Sequence, residues 1–389
     1  MTRKPRILFV VNVDWFFLSH RLPLALAAKE AGCDVYVAAE ETGKGKVIEQ
    51  NGIRFIPFNT STDNNVFQDF GLGIRLFRLY RSIQPDLVHH VTIKPVLFGS
   101  FAARMAKIPA VVNALSGLGY LYINQSVKVR LARTLSSFVF KFGFHHPNTT
   151  LILQNDDDKA LVLDYQLIDI QKIHIIRGSG VDINFFSFCL ECSKNVRVVL
   201  PARMLWDKGV EEFVRAASLL KSKYPDVSFH LVGEPYPGNP NSIPLKWLND
   251  CNKEENLHYE GYQVDMRRVY RESSIICLPS YREGLPKALL EAAAIGRPIV
   301  TTDAPGCREI VREGMNGYLV PVKDSIRLAE RIEKLILEPG TRRKFGENGR
   351  RIVENKFTVE RVISETLDIY KMLLGSKWPQ INTISKPVA

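Results

Sequence analysis

The chain has 389 residues, a formal net charge of +11 and a pI near 9.3. A hydrophobic fraction of 46% with 24% charged residues is typical of a globular protein and excludes a disordered or fibrous chain. No apolar run approaches the roughly 18 or more residues of a membrane-spanning helix, and Ile7 to Val13 is better interpreted as a first strand than as a signal peptide. The positive charge indicates an anionic partner, and nucleic acid, an anionic membrane and phosphorylated substrates are all candidates.

The six cysteines favour a reducing compartment. They are scattered, and the single C-x-x-C, Cys189 and Cys192, has neither a second pair nor a nearby histidine. A zinc site and a structural disulfide are therefore not expected, and we expect reduced thiols in a cytoplasmic protein.

Strand and helix signals alternate through the first part of the chain. The predicted strands are Ile7 to Val13, Asp34 to Ala39, Ile53 to Phe58, Asp86 to His90, Ala110 to Ala114 and Thr150 to Gln154, and the predicted helices are Leu18 to Ala31, Gly71 to Ile83, Pro95 to Ala106 and Val127 to Phe142. Continuous apolar strands separated by helices indicate a parallel sheet covered on both faces. Residues 1–177 are thus predicted to form a doubly wound domain.

The alternation of strands and helices is interrupted at residues 178–195, which we interpret as a linker, and then resumes. The second series is strand Val196 to Leu200, helix Val210 to Leu220, strands Ser228 to Val232 and Leu257 to Glu260, helix Val264 to Glu272, strand Ile275 to Leu278, helix Pro286 to Ile295 and strand Pro298 to Thr302. Helices Asp324 to Leu337, Gly340 to Asn355 and Thr358 to Leu374 follow. A second domain of residues 196–357, a last helix over 358–374 and a tail over 375–389 are predicted.

The first candidate binding loop follows the strand Ile275 to Leu278. In a strand–loop–helix unit, a ligand sits beyond the carboxyl end of the strand, where the helix N-terminus favours an anion. We therefore expect a phosphate beside Gly284 and Leu285. A carboxylate at such a site suits sugar hydroxyls, which Glu283 could accept; Glu291 lies eight residues, or about two turns, further on. Taken singly, Glu283 could be a turn residue and Glu291 a solvated helix residue.

A second candidate loop follows the strand Val196 to Leu200 and carries two cations, Arg203 and Lys208. A planar guanidinium fork and a point-charge ammonium at a strand-to-helix junction suit a diphosphate. On its own this segment could be an ordinary surface loop.

Taken together, the two loops resemble a known family. R-x4-K-G at Arg203, followed about eighty residues later by E-G-L-P-x4-E at Glu283, resembles the retaining nucleotide-sugar glycosyltransferases of family 4. This resemblance implies the α/β GT-B fold, with two doubly wound Rossmann-like domains facing a cleft and a C-terminal helix that crosses back to the first domain. S-H-R-L-P, S-G-L-G-Y and R-M-L-W-D-K-G-V are similar to the subgroup that adds N-acetylhexosamine to polyprenyl-diphosphate-linked sugars.

The resemblance also implies roles for the donor side. Arg203, Lys208 and Glu283 would be the catalytic residues, with the two cations on the donor diphosphate and Glu283 facing the donor sugar. Gly284 and Leu285 would add backbone donors, Glu291 would accept from the ribose, and Tyr262 and Val264 would lie beside the base. No metal and no cofactor besides a nucleotide sugar, expected to be UDP-linked, is implied.

The first domain is expected to bind the acceptor. His20 and Arg21 follow the first predicted strand, and His90 and Lys94 flank the end of the strand Asp86 to His90. The two cations among them suit an acceptor that is itself a diphosphate. The chain departs from many relatives after its first strand, where Val13-Asp14-Trp15-Phe16 replaces a glycine pair. No residue is therefore assigned as the base for the acceptor hydroxyl.

A basic amphipathic stretch in the first domain predicts a membrane contact. The helix Val127 to Phe142 carries Lys128, Arg130, Arg133 and Lys141, and Arg75, Arg78, Arg81, Arg104 and Lys107 belong to the same domain. Such a surface suits an anionic bilayer and predicts peripheral association with the inner face of the cell membrane. A core-packed helix with one solvated side is the alternative.

The predicted function is transfer of a sugar from a UDP-sugar to a lipid-diphosphate-linked saccharide in the assembly of a bacterial surface glycan, whether O-antigen, capsule or glycoprotein glycan. Two alternatives are kept. A UDP-sugar epimerase can share the GT-B architecture, and a nucleic-acid-binding protein would account for the charge. For the latter no binding motif or basic and aromatic sheet face is recognised, and no nucleic-acid partner is expected.

Overall fold

The computed structural model describes residues 3–60, 66–117, 137–191, 195–236 and 238–379. These residues form two compact units. Unit 1 contains the chain up to Ser179 together with the residues from Val362 onward, and unit 2 is Gly180–Arg361. Each unit is built on its own parallel sheet, as the alternation of strands and helices predicts.

Unit 1 contains a seven-stranded parallel sheet in the order β3-β2-β1-β4-β5-β6-β7. Its strands are β1 (Arg6–Val13), β2 (Asp34–Glu40), β3 (Arg54–Pro57), β4 (Leu87–Val91), β5 (Ala110–Ala114), β6 (Thr149–Leu153) and β7 (Ile173–Ile175). Its helices are α1 (Asp14–His20), α2 (Leu22–Glu30), α3 (Gly45–Gln50), α4 (Val66–Ile83), α5 (Ile93–Met105), α6 (residues 137–144) and α7 (Asp156–Asp164).

The central strand β1 explains why both faces of this sheet are covered. Its residues 7–11 are fully buried, so apolar side chains point to both faces. Phe9 packs into one core cluster with α2, and Val10 packs into another with Tyr80 of α4.

The predicted single helix Leu18 to Ala31 is wrong in one respect, because the structure has two helices there. α1 begins directly after β1 and ends at His20, and α2 begins at Leu22. Pro23 lies in the first turn of α2, where its missing N–H is harmless, but it could not continue a helix that started upstream. Arg21 occupies the joint.

Unit 2 contains a six-stranded parallel sheet in the order β10-β9-β8-β11-β12-β13. Its strands are β8 (Arg197–Pro201), β9 (Ser228–Val232), β10 (Leu257–Gly261), β11 (Ile275–Leu278), β12 (Ile299–Thr302) and β13 (Gly317–Val320). Its helices are α8 (Val210–Lys221), α9 (Leu245–Cys251), α10 (Met266–Glu272), α11 (Lys287–Ile295), α12 (Cys307–Ile310), α13 (Ser325–Leu337) and α14 (Pro339–Lys356).

The last helix, α15 (Val359–Leu374), packs mainly in unit 1. Val362, Ile369 and Tyr370 are buried in the same cluster as Phe9. The segment interpreted as a linker belongs to unit 2 from Gly180 onward, where Val181 and Phe186 are buried against α11. The α/β fold class predicted from the sequence is confirmed by the two parallel sheets.

Two further observations concern the described part of the chain. None of its helices is long and apolar enough to cross a membrane. Its five cysteines, Cys33, Cys189, Cys251, Cys277 and Cys307, are all free thiols.

Candidate functional site

Two loops meet at the carboxyl edge of the unit 2 sheet because β8 and β11 are neighbours. The loop after β8 carries Lys208 at the end of a short 3-10 turn, and the loop after β11 carries Glu283. The Nζ atom of Lys208 lies 2.5 Å from Oε1 of Glu283. Two residues that the sequence places 75 positions apart thus form an ion pair, with side chains only 13% and 15% exposed.

Backbone contacts hold the two loops in this arrangement. The carbonyl of Asp207 accepts hydrogen bonds from the backbone N–H of Tyr281, at 2.9 Å, and from the hydroxyl of Ser280, at 3.1 Å. Gly209 has φ +73°, and a Cβ there would lie 2.2 Å from the carbonyl oxygen of Pro279. The position therefore requires glycine, and the loops pack too closely for any side chain between them.

Glu283 is fixed from the other side by the turn after β12. Its N–H donates to the carbonyl of Pro305 at 3.0 Å. Gly306 has φ +80°, and a Cβ on it would come within 2.6 Å of the carbonyl oxygens of both Glu283 and Gly284. Nearby Cys307 is buried, and burial followed by the charge of Glu283 raises its pKa to about 12. The thiol therefore stays protonated and is not a nucleophile at neutral pH.

Arg203 is exposed at the same sheet edge and stacks on an aromatic ring. Its guanidinium carbon lies 5.1 Å from the centroid of the Tyr236 ring, a cation–π contact. The loop of Tyr236 is joined to the loop of Arg203 through a hydrogen bond from the Met204 N–H to the Glu234 carbonyl, at 2.8 Å. Among the residues that the structure describes, no carboxylate forms an ion pair with this guanidinium.

Helix α11 and the residues just before it contain the other residues predicted to bind the donor. Its N-terminus follows Pro286, which offers no side-chain cap, and Gly284 and Leu285 are buried just before it. The first turn of a helix, at the positive end of the helix dipole, favours an anion. Glu291, on the second turn of α11, is 8% exposed, and burial raises its pKa while Lys287 and the Tyr270 hydroxyl act in the opposite direction.

Tyr262 and Val264 follow β10, two strands away from β8 in the sheet. Their exposed fractions are 65% and 89%, so both side chains are open to a ligand. No contact with the Lys208–Glu283 pair is recorded for them within the described chain, and their predicted place beside a base stays a prediction.

In unit 1, two of the residues predicted to bind the acceptor are accessible and two are buried. His20 lies at the end of α1, where its ring stacks on Phe16 at 4.0 Å and its Nδ1 meets the Ser19 hydroxyl at 2.6 Å. Lys94 lies in the first turn of α5 and is partly exposed. Thr92, which precedes α5, has φ +76°, an uncommon conformation for a β-branched residue.

Arg21 is buried, contrary to the open position that an acceptor ligand would need. It is 6% exposed, its Nη1 donates to the His20 carbonyl at 3.1 Å, and burial lowers its pKa to about 10. An arginine this deeply buried can act on an acceptor only through its neighbours or its charge.

His90 is fully buried, in a chain of polar side chains between the sheet and α5. Its Nδ1 lies 2.7 Å from Oδ1 of Asn113, and its Nε2 lies 2.8 Å from the hydroxyl of Tyr80. Because the amide oxygen can only accept, Nδ1 carries the proton and Nε2 accepts from Tyr80. A Cβ on Gly99 would lie 2.5 Å from this ring, so α5 is packed directly onto it. The side chain supports the fold and does not reach an open surface.

This network predicts acid sensitivity of unit 1. Burial lowers the pKa of His90 to about 4, below its ordinary value of 6.5. The unfolded chain therefore binds more protons between these values, and the free energy of unfolding should fall as the pH drops from 6.5 towards 4, by about 3 kcal/mol for this group. His90→Gln, which cannot take up a proton, should lose less stability over this range in urea unfolding.

His145→Gln is the control, because it changes an exposed histidine in the same unit. This variant should follow the wild-type pH profile. Equal pH profiles for wild type and His90→Gln would show that the buried ring is not the group that titrates.

Several residues around the site were not predicted from the sequence. Tyr236 and Tyr270 touch Arg203 and Glu291 only through the tertiary fold. Gly306 could have been suspected, because the Pro305-Gly306 pair is typical of a tight turn. The greater part of the predicted basic helix, residues 127–136, lies outside the described residues, as do Leu118, Gly119 and Tyr120.

Comparisons with known proteins agree with this architecture. A family model described as "Glycosyl transferase 4-like" matches residues 6–155, and one described as "Glycosyl transferases group 1" matches residues 190–352. Among solved structures, a glycosyltransferase from Rickettsia africae has a TM-score of 0.76 at 21% identity, covering 96% of this chain and all of that one. HepE of Anabaena, in complex with UDP and glucose, has a TM-score of 0.74 at 18% identity, covering 94% and 99%.

Two curated relatives match nearly full length. The N,N'-diacetylbacillosaminyl-diphospho-undecaprenol alpha-1,3-N-acetylgalactosaminyltransferase of Campylobacter jejuni is 29% identical over 354 residues, which cover 85% of this chain and 92% of the relative. The UDP-Gal:alpha-D-GlcNAc-diphosphoundecaprenol alpha-1,3-galactosyltransferase of Escherichia coli is 23% identical, covering 88% and 90%.

With its two parallel-sheet units and these matches to both halves, the chain belongs to the glycosyltransferases of GT-B fold. It resembles the members that act on lipid-linked saccharides. The epimerase alternative is not supported, because both family models and these relatives are transferases.

Proposed function

We propose that this protein transfers an N-acetylhexosamine from a UDP-sugar, with retention of configuration, to a lipid-diphosphate-linked saccharide during the assembly of a bacterial surface glycan. The observation that carries the proposal is the Lys208–Glu283 pair beside the uncapped start of α11. The near full-length similarity to the Campylobacter enzyme supports the choice of donor and acceptor. Retention and membership of family 4 rest on the motifs at Arg203 and Glu283.

The cations of the site would act on the leaving group. As the bond between the anomeric carbon and the diphosphate breaks, negative charge develops on the departing phosphate oxygen, and Lys208 and Arg203 would stabilise it. The Lys208 ammonium has three donors, so it can bind a phosphate oxygen and still keep Glu283 oriented. Gly284, Leu285 and the start of α11 would add backbone dipoles.

The carboxylates would hold the donor by its hydroxyls. Glu283, fixed by Lys208 and by the Pro305 carbonyl, would accept from the sugar. Glu291 would accept from the ribose, and Tyr262 and Val264 would flank the base. Because two side-chain cations already oppose the diphosphate charge, we propose that neither a metal ion nor any other cofactor is needed.

The acceptor side of the proposal rests on unit 1. His20 and Lys94 are its accessible members, while Arg21 and His90 are buried and would act only by supporting the surrounding structure. A lysine at the start of α5, where the helix dipole is positive, suits the diphosphate of a lipid-linked acceptor.

We further propose that unit 1 docks on the cytoplasmic face of an anionic membrane. Three neighbouring helices, α4, α5 and α6, leave large apolar side chains exposed: Ile74, Phe77, Phe101, Met105 and Phe138. α5 and α6 join through the Phe101 and Phe142 rings, 4.8 Å apart. The same helices, or the residues just after them, carry four exposed cations: Arg75, Arg78, Arg81 and Lys107. Apolar and basic side chains together suit the headgroup region.

A donor screen tests the function. Purified protein is mixed with UDP-, GDP- and ADP-sugars, with or without a polyprenyl-diphosphate-linked saccharide, and with or without EDTA, while nucleotide release and the anomeric configuration of the product are followed. We expect release only with a UDP-N-acetylhexosamine plus the lipid acceptor, unchanged by EDTA, and a product that retains the donor configuration. Nucleotide release that needs no acceptor, or no release with any pair of donor and acceptor, would overturn the proposal.

The same mixtures test the membrane contact. When the acceptor is placed in vesicles, the protein should sediment with anionic vesicles at low salt and not with zwitterionic ones. Failure to sediment with anionic vesicles would contradict the docking proposal without touching the donor chemistry.

A further inference from the structure

Within the described part of the chain, each carboxylate oxygen of Glu291 has one polar side chain close to it. The hydroxyl of Tyr270, on α10, donates to Oε2 at 3.0 Å. The Nζ atom of Lys287, one turn earlier on α11, lies 3.5 Å from Oε1. The tyrosine makes the shorter contact and Lys287 lies at the outer limit of a hydrogen bond, so the tyrosine is the better placed of the two to fix the orientation of the carboxylate.

Tyr270 is well placed to be a fixed donor. It is 0% exposed, and its ring packs edge-on against Phe186 with centroids 6.2 Å apart. Burial, and then the charge of Glu291, raise the pKa of its hydroxyl well above 10, so the proton stays on the oxygen. A buried hydroxyl with a single proton and a carboxylate in reach has one stable orientation, which points at Oε2.

The backbone of Tyr270 is fixed by a buried arginine. Arg297 is 1% exposed, and its Nε donates to the Tyr270 carbonyl at 2.8 Å, while Nη2 reaches the Arg271 carbonyl at 3.2 Å. A further hydrogen bond runs from Nη1 to the Cys189 carbonyl at 3.1 Å. These carbonyls satisfy a buried guanidinium and clamp the end of α10 against α11. The backbone that carries the Tyr270 side chain is therefore fixed by buried hydrogen bonds.

We propose that Tyr270 is a positioning residue for the donor nucleotide: its hydroxyl fixes Oε2 of Glu291, so that Oε1 is presented to a hydroxyl of the ribose. This inference rests on the proposed function, in which Glu291 receives the ribose. Without the tyrosine hydroxyl the carboxylate keeps only Lys287 as a neighbour on its own helix. It would then turn towards the ammonium or take up a proton, and in either case its grip on the ribose weakens.

A pair of nucleotides tests this directly. UDP and 2′,3′-dideoxy-UDP are titrated by calorimetry into the full-length wild-type protein and into Tyr270→Phe. The wild type should prefer UDP, because only UDP offers ribose hydroxyls. In Tyr270→Phe this preference should fall about tenfold, the size expected for a hydrogen bond to a charged group. Affinity for the dideoxy nucleotide should stay unchanged.

Tyr224→Phe is the matched control. Its hydroxyl also donates to a glutamate, Oε1 of Glu333 at 2.8 Å, but on α13 and away from α11. This variant loses the same chemical group from unit 2 and should keep the full preference for UDP. A drop of the same size in Tyr224→Phe would mean that the effect is one of stability, which overturns the inference.

A double variant tests whether the tyrosine acts through the carboxylate. In Glu291→Ala the carboxylate is gone and no side-chain acceptor remains for the Tyr270 hydroxyl, so adding Tyr270→Phe should lower the preference for UDP no further. A further drop would contradict the inference. Wild-type protein that binds neither nucleotide refutes the proposed function itself, whereas a UDP preference that Tyr270→Phe leaves intact refutes only the role of Tyr270.

Discussion

Lys208→Ala is expected to lower kcat/KM for the UDP-sugar by about 10²–10³-fold, the range observed when one charge-stabilising donor is removed from an active site. The variant loses the ammonium that would face the diphosphate and leaves the Glu283 carboxylate, 15% exposed, without its partner. Turnover at saturating acceptor, together with UDP affinity, measures the effect. Glu283→Ala should also remove most turnover, because Lys208 then loses the carboxylate that orients it and the donor sugar loses a hydrogen-bond acceptor for its hydroxyls.

The fold should survive both changes. Loss of one partner of this mostly buried pair costs on the order of 1–3 kcal/mol, which a domain of this size tolerates. Lys221→Ala is the control: Lys221 also pairs with a glutamate, Glu254 at 3.0 Å, but with its side chain 37% exposed at the end of α8. That variant should retain wild-type turnover. Near wild-type turnover in Lys208→Ala would mean that the donor site lies elsewhere.

Gly306→Ala is expected to lower both turnover and stability, because it displaces the loop that carries Glu283. The new Cβ would lie 2.6 Å from the carbonyl oxygens of Glu283 and Gly284, so the peptide that carries Glu283 must move. A displacement of about 1 Å in a reacting group is enough to cost roughly a hundredfold in rate. We also expect unit 2 to lose roughly 2–4 kcal/mol, from the clash and from alanine at φ +80°. Turnover and urea unfolding report the two effects.

Gly314→Ala separates the clash from the backbone strain. Gly314 has φ +70°, yet no atom lies within 4 Å of where its Cβ would be. Alanine there should cost about 1 kcal/mol of stability and leave turnover unchanged. If Gly306→Ala turns over as fast as Gly314→Ala, the close packing of Gly306 against the Glu283 backbone does not set the position of Glu283 in the site.

Much of the architecture could be predicted because its strands are continuous apolar runs. The strand Ile275 to Leu278 has the same bounds as β11, and the predicted helix Pro286 to Ile295 differs from α11 only in its first residue. Strands buried on both faces give this signal directly, since every position must be apolar.

The elements that were not predicted are short or lie at the edges. β7 and β13 are edge strands of three and four residues, and β7 mixes His174 into an apolar pair. An edge strand pairs on one side only and need not be apolar throughout, so its pattern is weak. The short helices α3 and α9 have too few residues to show a helical period.

The acceptor side shows where reasoning from loops is insufficient. His90 and Lys94 both belong to the junction between β4 and α5, and the sequence gives no reason to separate them. The structure buries His90 between Tyr80 and Asn113 and leaves Lys94 partly exposed. Side chains near the end of a strand point to alternate faces of the sheet, so position in the chain alone does not decide which one is accessible.

The sequence by itself determined the class of fold, the two loops that carry Arg203, Lys208 and Glu283, and the family that this spacing resembles, because local apolar patterns and loop motifs are written in consecutive residues. Only the tertiary structure decided which of these residues meet. Strand order sets β8 beside β11, so Lys208 pairs with Glu283, and the packing of α10 on α11 brings Tyr270 to Glu291. Contacts of this kind depend on long-range packing, which no local pattern encodes.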